Sequence, residues 1–81
     1  MERQALRDVV IAKLKTIAPE VNGDELVASQ SLRSQVDLDS MDWLNFLIGL
    51  HEKLAVEIPE ADYAKLRTLD DLLDYLSARI P

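Results

Sequence analysis

The stretch Asp37-Leu38-Asp39-Ser40-Met41-Asp42 marks the point where a long polar segment ends and the most apolar helix candidate of the chain begins. Asp39 is a favourable N-cap, and Asp42 stands three residues on, where a capping box places an acid. The stretch therefore predicts the start of a helix. Ser40 can belong to this capping chemistry, or it can be a site to which an anionic group is attached, because a helix N-terminus favours negative charge.

The helix that starts there is predicted to run to about Leu54. At about 100° per residue, one set of apolar side chains forms a core-facing stripe. The stripe consists of Trp43, Phe46, Leu47, Leu50 and Leu54. Met41, Leu44 and Ile48 extend the apolar arc to roughly 220° on the side of Ser40, whereas about 100° is enough to face a core. Either neighbours cover a central helix on several sides, or the extra face serves a ligand or partner.

Two other residues of this helix, Gly49 and His51, are predicted outside the core-facing stripe. Gly49 is predicted on the opposite, polar side with Asn45, where it costs roughly 1 kcal/mol of helix propensity relative to alanine. His51 falls near the edge of the apolar face. As a lone histidine it is interpreted as a packed or half-exposed side chain rather than a metal ligand or a base.

Upstream, an amphipathic helix is predicted from about Gln4 to Ala18, and Pro19 ends it. Residues 20–39 show no sustained period, and Asn22-Gly23 marks a turn. Loops of about 20 residues are uncommon in compact domains. The spaced apolar residues of this one indicate an ordered crossover that is pinned to the core, with a short helical turn possible around Asp24 to Ala28.

Downstream, Pro59 is compatible with the first position of a short helix that spans Glu60 to Leu66. Thr68 and Asp71 repeat the capping pattern and predict the last helix, with a stripe of leucines on one face. The predicted fold is all-α. It is a small four-helix bundle with three longer helices, one short third helix and a long loop between helices one and two, formed by residues 1–81 as a single domain.

Composition limits the chemistry. The 81 residues include no cysteine and one histidine, which excludes a disulfide framework, a thiolate nucleophile and a multi-histidine metal site. The polar start and the lack of a long apolar run predict a cytoplasmic protein without a signal peptide or membrane span. The protein is expected to be a monomer.

The net charge of −6 is uneven, because residues 1–18 hold four basic and two acidic side chains and residues 19–81 therefore carry −8. An acidic balance disfavours nucleic acid as a partner, since phosphate binding needs clustered lysine and arginine. It favours partners with basic surfaces, although solubility alone can also explain it.

Two kinds of site can be tested against the central stretch. An EF-hand loop that starts at Asp37 would need glycine and glutamate at positions held by Asp42 and Ile48, so this possibility fails. A serine hydrolase would need a histidine held against Ser40, and His51 lies three turns along the same helix. Autonomous catalysis is therefore not expected, and the chain is predicted not to be an enzyme.

The run Leu38-Asp39-Ser40-Met41-Asp42, followed by Leu50-His51-Glu52-Lys53-Leu54 and then Val56-Glu57-Ile58-Pro59, resembles the acyl carrier protein family. The family motif is Asp-Ser-Leu, followed by the second helix and an Ile-Pro entry to a short third helix. The likeness covers nearly the whole chain, including the long first loop and the segment Arg67-Thr68-Leu69-Asp70-Asp71-Leu72.

The resemblance implies a carrier whose cofactor is 4'-phosphopantetheine. A phosphopantetheinyl transferase would move the arm from coenzyme A to Ser40, which is flanked by the cap residue Asp39, and the arm would hold an acyl group as a thioester. Acyl-loading and acyl-using enzymes with basic docking patches would be the other partners. The residues that would face these partners are Asp37, Leu38, Met41, Asp42, Leu44, Ile48, Glu52, Glu57 and Glu60. Phe46, Leu50 and Leu54 would line the core or an acyl-accepting interior.

The chain also departs from the family pattern. Asp37 stands where many members have glycine, and Met41 replaces the usual leucine. Asn45 and His51 occupy places where the carriers of fatty acid synthesis often have glutamate. These differences suggest a specialised carrier with dedicated partners in lipid or polyketide metabolism. An aminoacyl or peptidyl carrier of the same fold, and an unmodified helical interaction module in which Ser40 only caps, are the alternatives.

Overall fold

The computed structural model describes residues 1–80. Four α-helices lie in this range: α1 (Arg3–Ile17), α2 (Leu32–Val36), α3 (Ser40–Leu54) and α4 (Leu69–Ser77). Two short 3₁₀ segments accompany them, Gly23–Glu25 and Glu60–Lys65. Between residues 1 and 80 the only β-type pairing is an isolated bridge that joins Ser31 and Thr68. The predicted all-α fold with three longer helices is confirmed.

The short elements differ in detail from the prediction. The expected third helix is a 3₁₀ segment, and Pro59 is its N-cap rather than its first residue. The crossover contains the five-residue helix α2, which hydrophobic periodicity did not reveal because five residues are too few to show a period. The helical turn expected near Asp24 is present as the 3₁₀ segment Gly23–Glu25.

One hydrophobic core connects the helices, and α1 lies against both α3 and α4. Fully buried side chains from each long helix meet there, as the leucine and aromatic stripes predicted. They include Leu6, Val10 and Leu14 of α1, Phe46, Leu47 and Leu50 of α3, and Leu72 and Leu76 of α4. The stripe of α3 thus faces the core, except that Leu54 is only half-buried.

Main-chain hydrogen bonds attach the crossover to the start of α4. Leu32 N donates to Arg67 O at 2.9 Å, and Asp70 N donates to Ala28 O at 3.1 Å. Inside the crossover, the Gln35 amide bonds both main-chain groups of Val27, with Nε2 donating to O at 2.8 Å and Oε1 accepting from N at 2.7 Å. The segment is therefore an ordered connection, as its spaced apolar residues indicated.

The prediction that Gly49 lies on a polar face is wrong. The residue is buried against α1, and a Cβ atom there would stand 2.5 Å from Lys13 Cε. The helical period placed Gly49 away from the apolar stripe, but the aliphatic part of a lysine covers this side of α3. Glycine thus permits the close approach of the Lys13 side chain.

In residues 1–80, no helix is both long enough and apolar enough to cross a membrane.

Candidate functional site

The turn between α2 and α3 fixes the start of the central helix. Asp37 ends α2 in the left-handed conformation, with φ 57° and ψ 47°, and its N–H bonds Arg33 O. Leu38 N also donates to Arg33 O, at 3.2 Å, while the Leu38 side chain is buried in the core. Aspartate tolerates this backbone region better than most residues, so the departure from glycine is accommodated.

Asp39 caps α3 as predicted. Its Oδ1 accepts the Asp42 N–H at 2.8 Å, and its main-chain oxygen accepts from Trp43 N at 3.0 Å. The complete, reciprocal capping box occurs at α4, where Thr68 and Asp71 bond one another's main chain. The cap makes Ser40 the first residue of α3 and leaves its side chain exposed to solvent.

Arg33 is the one side chain of the described range that hydrogen-bonds the Ser40 hydroxyl, with Nη2 donating to Oγ at 3.4 Å. His51 is remote, because eleven residues of helix correspond to about 16 Å along the axis. Its Nδ1 lies 2.6 Å from Val56 O, so this nitrogen is occupied at the far end of α3. The arrangement suits a hydroxyl that receives a group from another enzyme, and it lacks the serine–histidine pair of a hydrolase.

The apolar residues predicted to face partners differ in exposure. Met41 is 64% exposed and Ile48 is 41% exposed, whereas Leu44 is half-buried. Leu38 is 8% exposed because its side chain packs into the core, so only a small part of it is open to a partner.

The acidic residues predicted to face partners form two groups. Asp37, Asp39 and Asp42 surround the start of α3 near Ser40. Glu52 is exposed twelve residues along the helix, about 18 Å from Ser40 along its axis. Glu57 and Glu60 are exposed beyond the end of α3. A partner that contacts both groups must therefore span the length of the helix.

Comparison with known proteins shows which family has this arrangement. The family model for a phosphopantetheine attachment site matches residues 4–76. The meromycolate extension acyl carrier protein of Mycolicibacterium smegmatis is 32% identical over 75 residues, which cover 89% of this chain and 76% of the relative. The chain belongs to the acyl carrier protein family. The acyl carrier protein of Thermosynechococcus vestitus is 28% identical over 74 residues, covering 88% of this chain and 91% of that protein.

A solved structure has the same fold as this acyl carrier protein family member. The acyl carrier protein from Enterococcus faecalis superposes with a TM-score of 0.74 over 98% of this chain and 99% of the other, at 21% sequence identity. The resemblance inferred from the Asp-Ser stretch is thus confirmed.

Members of the acyl carrier protein family are carriers rather than enzymes, and their cofactor is covalently attached 4'-phosphopantetheine. The residues at the start of α3 fit such a group, because an exposed hydroxyl stands at a helix N-terminus whose dipole favours a phosphate. The nearby Arg33 adds a cation to the same place.

Sequence reasoning missed Arg33. It is the sole lysine or arginine between Lys15 and Lys53, and it lies seven residues before Ser40. Its isolation in an acidic region was a usable signal. Its position beside Ser40 required the left-handed turn at Asp37, which pattern analysis did not place.

Proposed function

We propose that this protein carries acyl groups as thioesters on a phosphopantetheine arm attached to Ser40, and that it presents them to partner enzymes. The observation that carries the proposal is the exposed Ser40 hydroxyl at the capped start of α3 in a chain of this family. The names of the relatives favour an acyl cargo over an aminoacyl one.

Ser40 takes part in the loading step as an acceptor. Its Oγ attacks the phosphorus of coenzyme A that bears pantetheine, and a new P–O bond forms as the pyrophosphate P–O bond breaks. Adenosine 3',5'-bisphosphate leaves, and the serine proton passes to a base of the transferase. When bound, the prosthetic group supplies the thiol that forms the thioester, and the chain itself contains no cysteine.

The cap and the turn give this hydroxyl its setting. Asp39 holds the first turn of α3 through the Asp42 N–H, so Ser40 projects from an ordered main chain. The buried Leu38 anchors the residues just before it. An incoming transferase therefore meets a fixed serine rather than one on a mobile loop.

The surface that partners contact is proposed to combine apolar and acidic residues of α3. Met41 and Ile48 are exposed apolar side chains, and Asp42 and Glu52 are the acids of the same helix. Burial of Met41 and Ile48 against a partner would supply contact area. The two acids would pair with basic patches on the partner, and this attraction would steer the two proteins together. Leu44 would add to the apolar part, and Glu57 and Glu60 to the acidic part beyond the helix.

The decisive experiment is mass measurement after incubation with coenzyme A and a promiscuous phosphopantetheinyl transferase. We expect a gain of one phosphopantetheinyl group, which Ser40→Ala abolishes. Ser34→Ala is the matched control, because Ser34 is also an exposed serine of the same region but lies within α2. Failure to gain mass would leave the chain as an unmodified helical module. A gain that survives Ser40→Ala would place the modification elsewhere and overturn the assignment of Ser40.

A specialised pathway is the second part of the proposal. Asn45 and His51 reduce the acidic character of α3, and the His51 ring is engaged with Val56 O. We therefore expect the loaded protein to support malonyl-dependent elongation by a general fatty acid synthase less well than a housekeeping carrier. Equal rates for the two carriers would refute a dedicated role while leaving the attachment at Ser40 intact.

A further inference from the structure

We propose that Arg33 binds the phosphodiester that joins the prosthetic group to Ser40, and so acts as a positioning residue for the arm. This inference rests on the proposed function, since it requires the group to be attached at Ser40.

The turn between α2 and α3 places Arg33 close to Ser40. Arg33 O accepts the N–H groups of both Asp37 and Leu38, so the main chain of Arg33 is part of the turn that leads into α3. The left-handed Asp37 reverses the chain, and the Arg33 side chain thereby reaches the Ser40 hydroxyl. The placement follows from hydrogen-bonded main chain and does not depend on a mobile segment.

The donors of Arg33 are poorly used in this arrangement. Its contact with Ser40 Oγ is 3.4 Å long, beyond the usual range for an N–H···O bond. Arg33 takes no part in the ion pairs that Arg3 and Lys65 make within residues 1–80. A guanidinium has five N–H donors, and a phosphate oxygen is a stronger acceptor for them than a neutral hydroxyl.

The charges around Ser40 show why such a contact matters. Asp37, Asp39 and Asp42 all lie within three residues of Ser40, so a phosphodiester at Oγ adds negative charge to an acidic place. Arg33 is the single lysine or arginine in the whole stretch between Lys15 and Lys53. Its cation offsets this repulsion, and its planar donors can restrict the directions in which the arm leaves the serine.

The test compares apo and loaded protein by NMR. In the loaded wild type we expect the Arg33 Nε–Hε resonance to shift relative to the apo form. We also expect the ³¹P resonance of the phosphodiester to differ between the wild type and Arg33→Gln, with Arg33→Lys between them. High salt should bring these ³¹P resonances together, because the contact is exposed to solvent and salt screens it.

Lys15→Gln is the matched control, because it removes the same charge from an exposed position on α1. It should leave the ³¹P resonance unchanged. The inference is overturned, and the proposed function kept, if one phosphopantetheinyl group is gained, the ³¹P resonance is identical in wild type and Arg33→Gln, and the Arg33 Nε–Hε resonance of the wild type does not move on loading. Slower loading of Arg33→Gln with an unchanged ³¹P resonance also overturns it and assigns Arg33 to transferase docking. No mass gain on any variant overturns both.

Discussion

Within residues 1–80, two residues other than glycine adopt left-handed backbone angles, Asp37 with φ 57° and Ala55 with φ 54°. Asp37 is a residue type that tolerates this region, whereas alanine pays roughly 1–2 kcal/mol for the approach of its Cβ to the main chain. Ala55 ends α3, a position where helices commonly use glycine. The end of the central helix is therefore strained at one identifiable residue.

Replacement of this residue should stabilise the protein. We expect Ala55→Gly to raise the free energy of unfolding by about 0.5–1 kcal/mol, because relief of the left-handed strain exceeds the added entropy of the unfolded chain. Urea unfolding followed by the fluorescence of the buried Trp43 would measure the change. Ala12→Gly, at an exposed helical position of α1, should have the opposite sign and cost about 1 kcal/mol. A destabilised Ala55→Gly variant would contradict the assignment of strain.

A hydrogen bond between two side chains joins the second 3₁₀ segment to α4. Tyr75 Oη donates to Asp62 Oδ2 at 2.6 Å. This bond lowers the pKa of the Asp62 carboxyl below its ordinary value of 3.8. Burial of the phenol, followed by the same bond, raises the pKa of Tyr75 above its ordinary value of 10.0. The pair therefore stabilises the folded state most between the ordinary pKa values of the two groups, 3.8 and 10.0.

The directions of these two pKa shifts predict how the stability of the folded state depends on pH. Asp62 contributes stability above its unfolded pKa, and this contribution is lost as pH falls through the lowered folded pKa. Tyr75 contributes below its unfolded pKa, and its contribution is lost as pH rises through the raised folded pKa. Tyr75→Phe should therefore be less stable than the wild type near neutral pH, with a deficit that shrinks towards both acid and alkali.

Thermal unfolding of wild type and variant across this pH range would measure the deficit. Tyr63→Phe is the control, because no hydrogen bond joins the Tyr63 hydroxyl to a carboxylate in residues 1–80. Its stability difference from the wild type should vary much less between acid and neutral pH. A deficit of Tyr75→Phe that stays constant through acid pH would show that the Asp62 bond does not act as described.

At the scale of elements, the long helices were predictable and their contacts were only partly so. The stripes of α1, α3 and α4 predicted their buried faces, and the pairs Asp39–Asp42 and Thr68–Asp71 predicted two helix starts. Such signals are local, so they are legible in sequence. The Gln35 amide that bonds Val27, and the Arg33 contact with Ser40, depend on how the crossover folds back. Neither has a sequence period that could reveal it.

The packing of α1 on α3 through Lys13 and Gly49 can be tested by a double-mutant cycle. In a Lys13→Ala background, Gly49→Ala should raise the free energy of unfolding by about 1 kcal/mol, since alanine has the higher helix propensity. With Lys13 present, the new Cβ would stand 2.5 Å from Lys13 Cε and must displace that flexible side chain. The gain should then be smaller, with a coupling of at least about 0.5 kcal/mol.

Urea unfolding of the four proteins would give this coupling. Equal gains from Gly49→Ala in both backgrounds would show that Lys13 does not restrict the position. A coupling of the expected sign would explain the glycine in physical terms: α3 forgoes helix propensity there so that the aliphatic part of Lys13 can lie against it.

At the scale of the whole molecule, charge separates into a basic start and an acidic remainder. The net charge is −6, so repulsion among like charges opposes folding. In the opposite direction, Arg3 at the start of α1 forms ion pairs with Asp70 and Asp74 of α4, at 3.2 and 2.9 Å. These pairs join the basic part of the chain to the acidic part. Salt weakens both effects, but the unbalanced charge is the larger and more distributed one.

We therefore expect the Tm of the wild type at neutral pH to rise as sodium chloride is added. Arg3→Gln and Lys15→Gln each change the net charge from −6 to −7, but only Arg3 takes part in ion pairs in the described part of the chain. Arg3→Gln should thus have the lower Tm at low salt, and the gap between the variants should narrow as salt screens the pairs. Calorimetry of the three proteins over a salt series would measure this. A wild-type Tm that falls with salt would mean that the Arg3 ion pairs outweigh the repulsion among the acidic side chains. A Tm difference between the two variants that stays constant with salt would mean that Arg3 acts through packing of its side chain rather than through charge.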